Sequence, residues 1–392
     1  MAQQLSGDQA VRIASIELSA LRASDVLPDE FEGATLASEG TVVYDLSGAP
    51  LFRRIPITQG KQQFAYVDIG VNPVMGTTFL SASRGPWSTT QSVRNAKDAL
   101  GRRKSAPSFT RWRLVAYSYP KIAVQFLKGA REVAMLELES WRPVPPAPDK
   151  PPREPGDFQR WSLVDRLGKS AARRESQFAR HVDQIERWVA RHERRAVRVR
   201  ARRARRNTAM ISSAALQWPF PWISDSRELH YSPRQIDHHI CYELRGQETS
   251  VWCVDASCQM VLDFYRYNFS QDQLAVPLGL GTKTNPNGLP YGQEQKVVDT
   301  LQSMSNNALT AAMFPTVLYS RFTSEIKANR PLISFIPGPS RTVAGYWYLQ
   351  LPWLTRFRGL LVFDPWPPNV GVVTRWENFD ASSYRHTFTA HV

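Results

Sequence analysis

Gln247-Glu-Thr-Ser-Val-Trp-Cys253 sets a glutamine six residues ahead of a cysteine, and the residues after that cysteine run at helical spacing. Val254, Cys258, Val261, Leu262 and Tyr265 recur at steps of three and four, which predicts an amphipathic helix starting near Trp252 with the thiol in its first turn. A helix N-terminus presents unpaired N–H groups and the positive end of the helix dipole, and both favour a thiolate and any oxyanion formed beside it. Few segments constrain a chain as tightly, because polar residue, thiol and helix start must meet at one place.

Further motifs follow in order. After Trp252-Cys253 come Phe264-Tyr265, Asn268-Phe-Ser-Gln271 and Leu274-Ala275, then Arg330-Pro331-Leu-Ile-Ser-Phe-Ile, Gly338-Pro-Ser-Arg-Thr-Val-Ala-Gly345-Tyr346 and Leu361-Val-Phe-Asp364-Pro365-Trp366. This order resembles bacterial papain-like cysteine peptidases related to the double-glycine leader peptidases. The resemblance implies an α+β papain-like domain with Cys253 as nucleophile, Gln247 as side-chain donor of the oxyanion hole and Asp364 as the residue that orients a histidine. In that family the middle element reads Gly-His, five residues, Gly-Tyr, and the histidine is the general base. Here the histidine column falls on Pro339, or on Arg341 if two residues are lost.

A cysteine peptidase needs an imidazole in reach of the thiol and a third group to hold that imidazole in its working tautomer. Proline supplies neither, and a thiol near its reference pKa is only a few per cent thiolate at pH 7. The expectation is a peptidase homologue impaired in chemistry that binds a peptide or protein ligand. The alternative is an active cysteine peptidase or transacylase with an unconventional base. His386, in a strand-like run read as an edge strand, is the substitute base to consider; His238 and His239 lie upstream of Gln247, and His181, His192, His230 and His391 have less context. Asp364 also reads as a turn former before Pro365. Cys258 points to another helix face than Cys253 and reads as a core cysteine. With Cys241 the total is odd, which implies reduced thiols, and no metal-ligand spacing or cofactor motif is present.

At 392 residues the chain exceeds one ordinary domain. Its start lacks the basic and apolar parts of a secretory signal, and no stretch nears the ~18 apolar residues of a membrane span, so a cytoplasmic or leaderless exported protein is expected. Residues 1–142 read as an N-terminal α+β domain: a helix from Ala10 to Leu21, strand-like runs at 41–46, 51–57, 64–69 and 78–82, a helix at 89–100, and three more strand runs to 138. One helix against a meander is similar to the cystatin-like propeptide domains that precede some papain-like peptidases.

Residues 143–212 differ in composition. A Pro-rich stretch is followed by a helical pattern in which Phe178, Val182, Ile185 and Val189 form one apolar stripe. From Pro151 to Arg206 there are seventeen Lys or Arg against seven Asp or Glu, so ten of the chain's net +14 lie here. Arg194, Arg195, Arg198, Arg200, Arg202, Arg203, Arg205 and Arg206 form a self-repelling block that would seek an acidic partner or nucleic acid, if it is not simply a solvated or intramolecularly docked helix. The papain-like domain is placed at 213–392.

Overall fold

A computed structural model describes residues 4–103, 106–147, 159–199, 210–211, 223–229, 242–350 and 357–392, apart from the side chains of 169, 188, 191–199 and 223. The chain divides into two compact units. The first comprises Met1–Trp141, Ser162–Asp225 and Trp347–Arg358, and the second Arg142–Trp161, Ser226–Tyr346 and Gly359–Val392. Both mix helices with antiparallel sheet, an α+β organisation.

The first unit opens with α1 (Gly7–Ala23), fixed at its start by a capping box between Ser6 and Gln9. A short β1 (Thr35–Leu36) precedes the meander β2 (Thr41–Asp45), β3 (Pro50–Gln59), β4 (Gln62–Gly70) and β5 (Phe79–Arg84). The β2–β3 turn needs Gly48, whose φ is +93°. After α2 (Thr89–Gly101) come β6 (Arg111–Ser118), β7 (Lys121–Lys128) and β8 (Arg131–Glu137). The sheet order is β5-β4-β3-β2-β6-β7-β8. It departs from a pure meander at one place, where β6 returns parallel to β2. The segment following the Pro-rich stretch forms α3 (Leu163–Leu167), anchored by Asp45, which accepts from Leu163 N at 2.9 Å, and then α4 (Ala171–Val199).

α4 packs within this unit. Phe178, Ile185 and Val189 are buried as the stripe requires, but the fourth buried position is His181, while Val182 is half-buried. A histidine fits because α1 offers it a carboxylate: His181 Nε2 lies 2.7 Å from Glu17 Oε1, which also accepts from Thr78 Oγ1 at 2.9 Å. Pairing offsets the cost of burying these polar groups.

The second unit is a sheet in the order β12-β17-β13-β14-β15-β16, with β9 (Ile223–Glu228) beside β14. In chain order, β9 leads to α5 (Cys253–Phe264), α6 (Gln271–Leu278), the small hairpin β10 (Gly281–Thr282) and β11 (Asn285–Pro286), and α7 (Gln295–Met304). Then come β12 (Thr310–Phe314), α8 (Tyr319–Lys327), β13 (Leu332–Phe335), β14 (Ser340–Gln350), β15 (Phe357–Asp364), β16 (Val372–Asn378) and β17 (His386–His391). β17 is not an edge strand as the alternation suggested: it lies between β12 and β13 and pairs with both. The sequence run Thr310-Ala-Ala-Met-Phe314 carries too little patterning to betray the strand that covers it.

α5 lies against β13 and β14, and its sequence explains why. Ser257 meets Ser340 (Oγ–Oγ 3.0 Å), Met260 Sδ accepts from Thr342 Oγ1 at 3.5 Å, and the Tyr265 hydroxyl at the far end donates to Ala390 O at 2.7 Å. Gly345 suits the close approach of β14 to β9, since a Cβ there would lie 3.0 Å from Arg227 O, a tight contact.

Candidate functional site

Cys253 is the first residue of α5, with Trp252 as the N-cap residue; the Trp252 indole is fully buried and donates to Leu280 O at 3.1 Å, which fixes the approach to the helix. The thiol is only 2% exposed, and the backbone N–H of Ser340 donates to Sγ at 3.1 Å. Ser340 opens β14 directly after Pro339, and Pro339 is buried in the β13–β14 hairpin, its carbonyl accepting from Ile336 N at 3.1 Å. A proline side chain has no atom that can take a proton. Arg341, the alternative position for the histidine, is buried and bound in two parallel hydrogen bonds to Glu377, at 2.7 and 2.8 Å.

Glu377 also accepts from Ser382 Oγ and the Tyr384 hydroxyl, each at 3.0 Å. Burial would lower the Arg341 guanidinium, but the Glu377 carboxylate bonded to it outweighs burial and holds it above its ordinary value. Burial likewise works to raise Glu377, and Arg341 beside it brings it below the usual carboxylate range. The pair is charged, joined by two parallel hydrogen bonds, and unsuited to moving protons.

Gln247 is fully buried in the segment ahead of α5. Its backbone donates to Pro365 O at 2.9 Å and accepts from Asn369 N at 2.7 Å, joining it to the turn after β15. Gly246 lets these backbones meet: a Cβ there would lie 2.5 Å from Val370 N. The Gln247 side-chain amide donates to Thr249 O at 2.7 Å, so this donor is engaged locally, while its Oε1 is buried without a hydrogen-bond partner among the described residues. Asp364 ends β15 and accepts from Trp366 N at 2.9 Å, the turn-forming geometry expected of Asp before Pro. Cys253, Pro339, Arg341, Asp364 and Gln247 thus come to one end of the second unit through α5, the β13–β14 hairpin and the β15–β16 turn.

His386 lies in the same row of the sheet. Residues opposite each other across antiparallel strands share a face, and Ser340 pairs with Phe335, which pairs with His386. His386 is therefore on the α5 face, two strand spacings or roughly 10 Å from Ser340 between Cα atoms, with Phe335 interposed. Its ring contacts the rings of Phe335 and Phe388 with centroids 6.4 Å apart in each case.

Two residues had no motif to announce them. Asp255 sits in the first turn of α5, fully buried, with neither carboxyl oxygen hydrogen-bonded to a described residue. Burial, with the charges of Glu248 and Asp272, pushes its pKa up to about 9, Lys283 opposing the shift. Acidic residues are common in first helical turns, so its position alone did not mark it. Ser257 is the other; it buries a hydroxyl against Ser340. Cys258 is fully buried and its thiol is raised well above the ordinary value by burial and the Asp255 charge.

Among the described residues no group of three His, Cys, Asp or Glu is placed to hold a metal ion, and no helix is long and apolar enough to cross a membrane. Cys241, His230, His238, His239, Arg200, Arg202, Arg203, Arg205 and Arg206 lie outside the described residues, as do the side chains of His192, Arg194, Arg195 and Arg198.

No family model matches the chain, and no curated protein matches it. Among solved structures it is similar to a double glycine motif protease from an AMS/PCAT transporter in complex with the leader peptide, at TM-score 0.25 and 17% identity, over 38% of this chain and 89% of that one.

Proposed function

We propose that the second unit is a papain-like peptidase homologue that binds a peptide or protein without efficient cleavage. The observation that carries this reading is the occupant of the general-base position: Pro339, followed by Ser340, whose main-chain N–H donates to Sγ of Cys253. An amide donor favours a thiolate but accepts no proton, so it cannot replace an imidazole in either half of acyl transfer. The engagement of Arg341 by Glu377 and of the Gln247 amide by Thr249 supports the same reading. The test uses the full chain and its Cys253→Ala variant on a fluorescent peptide library, with cleavage and binding read separately. Binding equal in both proteins and no cleavage above that of Cys253→Ala is expected. Wild-type turnover that disappears in Cys253→Ala would overturn the proposal.

One observation favours a second reading, an active cysteine peptidase or transacylase. His386 shares a sheet face and row with Ser340. If it serves as base through a shift of Phe335, turnover would vanish in His386→Ala as well as in Cys253→Ala.

A further inference from the structure

The α2 side of the first unit is basic and carries an exposed indole. Trp112 pairs with Phe126 across β6 and β7, and Lys128 pairs with Arg131 at the tip of the next hairpin. Phe126 and Lys128 are two residues apart on one strand, so Trp112, Phe126, Lys128 and Arg131 project to the same side. The Phe126 ring meets Phe109 at 4.8 Å, and Lys97 Nζ of α2 stands 5.8 Å over Phe109. These contacts bring the C-terminal end of α2, followed by Arg102 and Arg103, to that side too.

Lys97, Arg102, Arg103, Lys128 and Arg131 are exposed and form no ion pair with a described residue; Asp98 is the one carboxylate of α2. The opposite side differs. There Arg113 donates to Gln125 Oε1 at 2.6 Å and Gln125 to Glu132 Oε2 at 2.7 Å, so its polar groups are largely mutually satisfied. Trp112 is 38% exposed, and no other large apolar side chain among the described residues of this unit is as exposed.

We propose that this face binds single-stranded nucleic acid, with Trp112 as a stacking platform for a base and Lys97, Arg102, Arg103, Lys128 and Arg131 on the phosphates. Sequence-tolerant strand binders set cations on the phosphates and aromatic faces under the bases, and this side offers both, with Trp112 able to take one base. A membrane-inserting surface would expose several apolar side chains, and an acidic polypeptide meets the cations equally well but offers no base to stack on the indole.

The experiment measures binding of a fluorescein-labelled twenty-nucleotide oligothymidylate to the full chain. Five phosphate contacts predict about a hundredfold weakening between 50 and 200 mM salt. Trp112→Ala should weaken binding about tenfold, Trp112→Phe should restore most of it, and Lys128→Glu with Arg131→Glu should abolish it. Thermal melts of each variant check folding. Because the chain also holds the arginine run, the same series is repeated with Arg194, Arg195, Arg198, Arg200, Arg202, Arg203, Arg205 and Arg206 changed to Gln, where the Trp112 effect should persist. The proposal fails if the wild type does not bind the oligonucleotide at 50 mM salt, or if binding is unchanged by the Trp112 and hairpin variants. It also fails if polyglutamate or phosphatidylserine vesicles bind with the same residue dependence and greater affinity.

Discussion

The backbone amide of Ser340 and the sulfur of Cys253 meet at 3.1 Å, so the residue after Pro339 and the residue that opens α5 touch atom to atom. A side chain at position 339 is therefore one residue from direct contact with the thiol. Pro339→His is the substitution expected to raise peptidase turnover most. A positioned base contributes ~10²–10⁴-fold, and the buried hairpin around residue 339 will hold the gain to the lower end. The check is turnover of Pro339→His against wild type and against Pro339→His combined with Cys253→Ala; equal rates in all three would refute it.

Burial orders the thiols. Cys253 is 2% exposed and Cys258 fully buried, and the Cys258 thiol is also raised well above its ordinary value by burial. Iodoacetamide at pH 8 should modify both far more slowly than in urea-unfolded protein, with Cys253 reacting first because it lies at the helix end. Mass spectrometry of tryptic peptides over time gives the order. Cys258 labelled ahead of Cys253 would contradict this packing.

Arg341 and Glu377 are held together by geometry rather than exposure, and a buried pair of this kind is costly to halve. Glu377→Ala leaves a buried guanidinium uncompensated and should destabilise the protein by about 3–5 kcal/mol. Replacing both, Arg341→Met with Glu377→Leu, should cost clearly less than the sum of the single changes. Urea unfolding of the two single variants and the double variant measures the coupling; strict additivity would mean that the pair is not coupled.

Much of the layout was legible. The helix opening at Cys253, the strands ending at Asp364 and starting near His386, and nearly every element from α1 to β8 follow from periodicity and turn residues, because those signals are local. What stayed hidden depends on non-local pairing. The parallel return of β6 beside β2, the covering of β17 by β12 and the Glu17–His181 pair in place of a fourth apolar stripe residue each join segments far apart in the chain. At the site, Pro339 could be read as a missing base, yet nothing in the sequence indicated that Gln247 would donate to Thr249 or that Asp255 would be buried.

Asp255 makes stability depend on pH in a direction opposite to the usual carboxylate. Its folded pKa is about 9 against an ordinary 3.8, so the folded chain keeps a proton that the unfolded chain releases. This group's stabilising contribution is complete below about pH 4 and declines by about 1.4 kcal/mol per pH unit until the folded carboxyl itself ionises near pH 9. At pH 7 the accumulated loss is at most about 4 kcal/mol. Asp255→Asn has no proton to lose. The carboxamide keeps the size but leaves buried polar atoms unpaired, at a cost of ~1–3 kcal/mol that does not vary with pH. The difference in unfolding free energy between Asp255→Asn and wild type should therefore move in favour of the variant by a few kcal/mol between pH 4 and pH 8. Urea titrations at pH 4, 6 and 8 measure it; a difference that stays constant would mean that Asp255 is ionised in the folded protein and has a partner that stabilises its charge.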